Sequence, residues 1–164
     1  MSPAVVQLLV SPRHRYEGRP ADGPAPETPG ELVDRVEVRA GLGLVGDRYF
    51  ARRAHRDAAV TFVSADAIAD LRAGAGRPPD LQTLRRNVLL RGVDVDALVG
   101  RTLVLDSGDG PVGFAVRRAA NPCRWLDVVV GDGTWTAMRG RGGVRTTPLD
   151  DGVLRVGPVV VRVD

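Results

Sequence analysis

Cys123 is the only cysteine in the 164-residue chain and sits in the stretch Ala-Asn-Pro-Cys-Arg-Trp-Leu-Asp, residues 120–127. A thiol does chemistry as its thiolate, which attacks electrophilic sulfur or ligates a soft metal. Its surroundings favour that form. Arg124–Val130 reads as a short helix, which places the sulfur near the unpaired N–H groups of a helix start. Arg124 is adjacent, and Arg117 and Arg118 end the preceding strand. The competing reading is a small buried hydrophobe, the commonest fate of a free cysteine. The residues alone leave both open. One cysteine and two histidines are poor material for a structural zinc site, which wants four Cys/His ligands.

Three further polar stretches stand out. Gly41, Gly43 and Gly46 fit the spacing of a dinucleotide-binding loop, with Asp66 beyond them. The following "DRYFARRAHRD" lacks an apolar stripe of helical period, so no helix opens at the third glycine and the nucleotide reading is disfavoured. The glycines then serve a turn, with Asp47 and Arg48 as a surface ion pair at its apex. The second stretch, "RGRGGVR" (Arg139–Arg145), offers backbone N–H groups and guanidinium forks as an anion cradle, or is a solvated turn. In the third, Asn87 follows Arg85 and Arg86 just before an apolar strand, either at a barrel rim or as a helix C-cap. "HRD" at His55–Asp57 lacks the asparagine and lysine that kinase chemistry needs.

The elements that must position these groups are short. Glycine (20) and proline (12) are frequent enough to favour many brief strands over long helices. Strands are expected at 4–10, 31–39 and 58–64, in "NVLLRG", "RTLVLDS" and "VGFAVRRA", and in the C-terminal "GVLRVGPVVVRVD", with an Asp-Gly hairpin at 109–110. Short helices are expected at 65–74 behind Ser64, in "DLQTLRR" capped by Asp80, and at Arg124–Val130. Residues 11–30 form a Pro/Gly-rich loop, mobile or wrapped over the surface. The expected fold is mostly β (α+β), a closed or nearly closed β-barrel with two or three inserted helices, as one domain over residues 1–164.

All 23 basic residues are arginine. Without lysine there is no Schiff base to pyridoxal phosphate and no P-loop. Arginine suits flat anions, but a net charge of +3 is too small to imply nucleic acid by itself. No apolar run reaches the roughly 18 residues of a membrane span, and the N-terminal run lacks a signal peptide's shape. With no internal disulfide to form, a cytoplasmic location is expected.

Taken in order, "GLVGDR" (Gly43–Arg48), "RRNVLLRGVDV" (Arg85–Val95), "NPC" (Asn121–Cys123) and "RGGV" (Arg141–Val144) resemble the MOSC domain, named for the C-terminal part of molybdenum cofactor sulfurases. The resemblance covers roughly residues 31–162. It implies a β-barrel with Cys123 facing a central cleft. There Cys123 would carry sulfur as a persulfide, or its thiolate would ligate the molybdenum of a molybdenum-pterin (molybdopterin) cofactor. Arg48, Arg86, Asn87 and Arg141, with Gly142, become candidates to hold the cofactor's phosphate tail, and Asp47 to orient Arg48. The implied partners are a cysteine desulfurase or other sulfur donor, or an electron donor if the chain is a reductase; no membrane is expected and nucleic acid is disfavoured. As an enzyme it would be a sulfur transferase or a molybdenum-dependent oxidoreductase. Since about 30 residues precede the match, a standalone unit is expected. The alternatives are a molybdenum-dependent reductase of N-hydroxylated compounds and a non-catalytic anion- or nucleic-acid-binding module.

Overall fold

The computed structural model describes residues 1–71 and 78–164. Short apolar runs broken by glycine give short elements. The strands are β1 (Ala4–Leu9), β2 (Leu32–Val33), β3 (Arg35–Arg39), β4 (Gly43–Leu44), β5 (Val60–Ser64), β6 (Val88–Arg91), β7 (Thr102–Asp106), β8 (Pro111–Ala119), β9 (Val144–Pro148), β10 (Gly152–Arg155), β11 (Gly157–Pro158) and β12 (Val160–Val163). The helices are α1 (Leu81–Leu84), α2 (Trp125–Val129) and α3 (Thr134–Ala137).

The larger sheet runs β11-β1-β6-β5-β9-β8-β7-β12, with β2 also on β1; a smaller sheet runs β10-β3-β4. The expected strand over 31–39 is therefore two strands, β2 pairing with β1 and β3 with β10. β5 and β6 pair in parallel, and all five residues of β5 are buried. That burial is what a parallel pair covered on both faces requires. Phe62 packs edge-to-face on Phe114 at 5.0 Å, in a core with Val5, Val36, Val88 and Leu105. Its neighbour Val63 belongs to a second core with Leu81, Leu84, Leu126 and Met138 of the helical segments. Successive residues of a strand point to opposite faces, so one strand organises both cores.

The expected barrel is not closed. β11 and β12 end the path of the larger sheet, follow one another in the chain around Val159, and are joined by no ladder. The local reason is Gly157 at φ +131° followed by Pro158, which has no N–H to donate; together they turn the chain from β1 towards β7. The fold is a sheet-rich α+β arrangement.

The helices vary in how well their signals read. Asp80 caps α1, its carboxylate accepting from the Thr83 N–H at 2.9 Å. α2 lies within the expected 124–130. Residues 65–70 form successive turns instead of a helix, although the Ser64 hydroxyl still accepts from the Ala67 N–H at 3.3 Å. The end of that expected helix, 72–74, lies outside the described residues. α3, one turn long, had no periodic signal to announce it. No helix among the described residues is long and apolar enough to cross a membrane.

Candidate functional site: the Cys123 cleft

The glycine loop turns Asp47 inward, and Asp47 becomes a hub. One carboxylate oxygen accepts from the Ser11 N–H at 3.1 Å, Asn87 Nδ2 at 3.2 Å and Arg48 Nη1 at 3.3 Å; the other accepts from the Tyr49 N–H at 3.2 Å. The side chains of Asp47 and Arg48 are 0% and 5% exposed, so the expected surface ion pair is a buried one. Arg48 is also held by the carbonyl of Arg85 at 3.4 Å and lies 4.6 Å from the centre of the Tyr49 ring. A cation on an aromatic face with an anion behind it has little freedom left.

Asn87 is fully buried and saturated. Its Nδ2 donates to the Leu9 carbonyl and to Asp47, while its Oδ1 accepts from the Thr61 N–H and hydroxyl, each at 3.0 Å. It ties β1, β5 and β6 to the Asp47 loop and has no group left for a ligand. The C-cap of α1 is Arg85, at φ +57°, a left-handed conformation that costs a non-glycine residue roughly 1–2 kcal/mol. This kink sends two consecutive arginines different ways. Arg85 is buried against Glu31 at 2.9 Å. Burial would raise the Glu31 carboxyl, but hydrogen bonds from Arg85 and Ser11 more than offset it and hold the group below its ordinary range.

Arg86 reaches under the cysteine loop. It donates to the carbonyls of Gly142 (2.9 Å), Ala120 (3.0 Å), Asn121 (3.4 Å) and Leu84 (3.5 Å). These partners are neutral; among the described residues no carboxylate hydrogen-bonds Arg86, and Asp96 feels its charge without bonding it. Burial, with Arg145 adding, pushes Arg86 down to about 10 against the opposite pull of Cys123, and it remains a cation at neutral pH. Gly142 is needed for closeness: a Cβ there would stand 2.3 Å from the Ala120 carbonyl oxygen.

The loop over residues 11–30 is wrapped, and it supplies one wall. Tyr16 stacks on Trp125 at 5.3 Å and 12°, and its hydroxyl donates to the Thr83 carbonyl. Burial pushes the Tyr16 phenol up to about 12, so it stays a neutral donor. His14 meets Tyr49 edge-on at 5.4 Å, and burial together with Arg48 pushes its imidazole down.

His14, Tyr16, Arg48, Tyr49, Arg86 and Cys123 line one cleft of about 150 Å³. Cys123 is exposed, not a packed hydrophobe, and its carbonyl accepts from the Leu126 N–H at 3.1 Å at the start of α2. Of the residues expected around it, Arg48 and Arg86 share the cleft, Asp47 backs Arg48, Asn87 lies beneath and Gly142 braces Arg86. Arg141 is elsewhere: it bonds Asp70 at 2.7 Å and the Ala67 carbonyl at 2.9 Å and lines a second cleft. Sequence reasoning passed over His14, Tyr16 and Tyr49. The basic-aromatic run "RHRYE" inside a loop otherwise rich in Pro and Gly was the available signal. Among the described residues no three His, Cys, Asp or Glu side chains converge for a metal ion.

The molecule is thus a sheet-rich α+β domain with one accessible thiol in an arginine-walled cleft. The family model of the MOSC domain matches residues 43–161, and the chain belongs to that family. No curated protein sequence matches it. Among solved structures, the YuaD protein of Bacillus subtilis superposes with a TM-score of 0.70 at 16% identity, covering 99% of this chain and 96% of that one. YiiM of Geobacillus stearothermophilus superposes with a TM-score of 0.59 at 17% identity, covering 98% and 75%. At these identities the likeness is one of fold.

Proposed function

We propose that this MOSC domain carries sulfur on Cys123. The Cys123 thiolate attacks the outer sulfur of a donor persulfide; a Cys123 S–S bond forms, the donor's S–S bond breaks, and its electron pair leaves with the donor sulfur as a thiolate. No external oxidant or reductant is needed. Arg86 is the fixed cation lining the cleft of the resulting anionic sulfur, since Arg48 is already paired with Asp47. The observation that carries the reading is an exposed thiol in the same cleft as a guanidinium whose hydrogen-bond partners among the described residues are all carbonyls.

The molybdenum-pterin group associated with the family fits less well. The thiol and two guanidiniums suit its chemistry, but the cleft is about 150 Å³, against roughly 300–1,000 Å³ for pockets that enclose organic ligands. Asn87 and Arg141, expected to hold the phosphate tail, are committed to other partners. The sulfur donor is a separate protein of the cysteine desulfurase kind, because the chain has no lysine for pyridoxal phosphate. A lone exposed thiol also favours a reducing compartment such as the cytoplasm.

Intact-mass measurement after incubation with inorganic polysulfide tests the reading. A gain of one sulfur atom is expected, removed by dithiothreitol and absent in Cys123→Ser. No gain, or a gain that survives Cys123→Ser, overturns it.

A further inference from the structure

Near Cys123 the chain places arginines that meet no carboxylate among the described residues. Arg124, the next residue, lies 4.2 Å from the centre of the Trp135 ring, and Arg139, just beyond α3, lies 4.5 Å from it. Both cations are held by the one ring although they repel each other. The ring is anchored: the Trp135 N–H donates to Asp127 at 2.8 Å and its indole N–H to the Pro122 carbonyl at 3.2 Å. Because Pro122 precedes the cysteine, the stack is bolted to the Cys123 loop. Beside it, Arg118 and Arg145 stand directly opposite one another in the β8–β9 ladder. Like charges in that position are destabilising unless an anion relieves them.

We propose that the α2–α3 hairpin and the adjoining end of the β8–β9 ladder are a docking face for an acidic protein surface, which brings its reactive group to Cys123. The purpose of docking rests on the sulfur-carrying reading; the face itself does not. Carboxylates match guanidinium forks two bonds at a time, and stacking on Trp135 pre-organises two of the forks. Nucleic acid, the other common polyanion, gains from stacking bases on an open aromatic face. Here Trp135 already carries two guanidiniums, at 4.2 and 4.5 Å from its centre.

The probe is a fluorescently labelled oligoglutamate peptide titrated into the 164-residue protein. Binding that weakens with salt is expected, and weakens about tenfold or more in the Arg124→Gln/Arg139→Gln double variant, as for loss of paired charges at an interface. Arg35→Gln/Arg162→Gln, exposed arginines on β3 and β12, should leave it unchanged. Arg118→Gln/Arg145→Gln should also weaken binding while melting no lower than wild type, because a repulsion is removed. Bound peptide should slow alkylation of Cys123 by iodoacetamide. Equal losses in the hairpin and control variants, or no protection of the thiol, overturn the proposal. So does an oligonucleotide of equal charge that binds more tightly through the same arginines. Sulfur uptake without peptide binding sinks the docking face alone, and peptide binding without uptake sinks the sulfur carrier alone.

Discussion

Two clefts of this molecule are built from arginine and glycine signals, and they treat charge in opposite ways. The second cleft, about 640 Å³, is lined by Asp66, Asp94 and Asp96 together with Arg141, which pairs with Asp70. Burial, with Asp94 adding, pushes the Asp96 carboxyl up despite the Gly143 N–H it accepts at 2.9 Å. Among the described residues the Cys123 cleft has no carboxylate in its lining: Arg48 and Arg85 are paired from behind by Asp47 and Glu31, while Arg86 bonds carbonyls. An arginine becomes an anion receptor only where no carboxylate reaches it first. That depends on packing, not on the arginine.

Gly143 joins the two clefts, and the largest expected effect lies there. Its N–H serves Asp96, its carbonyl accepts from the Ala120 N–H at 2.7 Å, and a Cβ would stand 1.9 Å from the Phe62 carbonyl oxygen at φ +89°. Gly143→Ala should cost about 3 kcal/mol or more, from overpacking plus backbone strain, read by urea denaturation. A cost below about 1 kcal/mol would mean the clefts are not braced against each other.

Glu31→Gln should cost about 3 kcal/mol by leaving Arg85 buried without its counter-charge. The pH dependence has a definite sign. Glu31 is held below its ordinary value, so its contribution is complete above a pH of about 4.3 and is lost as pH falls through the lower folded value. Wild type should lose urea resistance across that acid range, whereas Glu31→Gln should show a flatter profile. A Glu31→Gln profile as steep as wild type would show that other carboxylates control acid unfolding.

Arg86→Met probes this carbonyl-bound guanidinium directly. Alkylation of Cys123 by anionic iodoacetate should slow several-fold relative to neutral iodoacetamide, on the scale of one lost charge interaction near a protein surface. An unchanged ratio would show that the guanidinium does not act on the cleft. The smallest effect belongs to Arg141→Gln. Its ion pair is partly exposed, so stability should change by about 0.5 kcal/mol or less and the iodoacetate rate should not change. A slowed Cys123 would place Arg141 in the wrong cleft.

Local signals were legible where one residue or dipeptide fixes a conformation. Asp80 caps α1, the turn between β7 and β8 carries Asp-Gly, and β1 lies within its expected range. Cys123 stood out because it is alone, but the residues left a reactive thiol and a buried hydrophobe both open, and the fold showed only that it is exposed. The two-residue strands β2, β4 and β11 and the single turn of α3 are too short to leave a period, and the open sheet followed from a glycine-proline pair that reads equally well as punctuation. Asp47 and Arg48 read as a surface pair because nothing adjacent in sequence reveals that Asn87 and the Ser11 N–H converge on them.

By itself the sequence determined which chemistry was available: one thiol, guanidinium as the sole basic group besides two histidines, no lysine, and enough alternating apolar residues for a sheet-rich fold. Those are properties of residue type and local period, set before the chain folds. Only the tertiary structure decided that Arg86 faces carbonyls while Arg85 and Arg141 face carboxylates, and that a loop near the N terminus walls the cleft with Tyr16 and His14. Charge compensation and enclosure depend on groups brought together from distant parts of the chain, and no local pattern encodes those meetings.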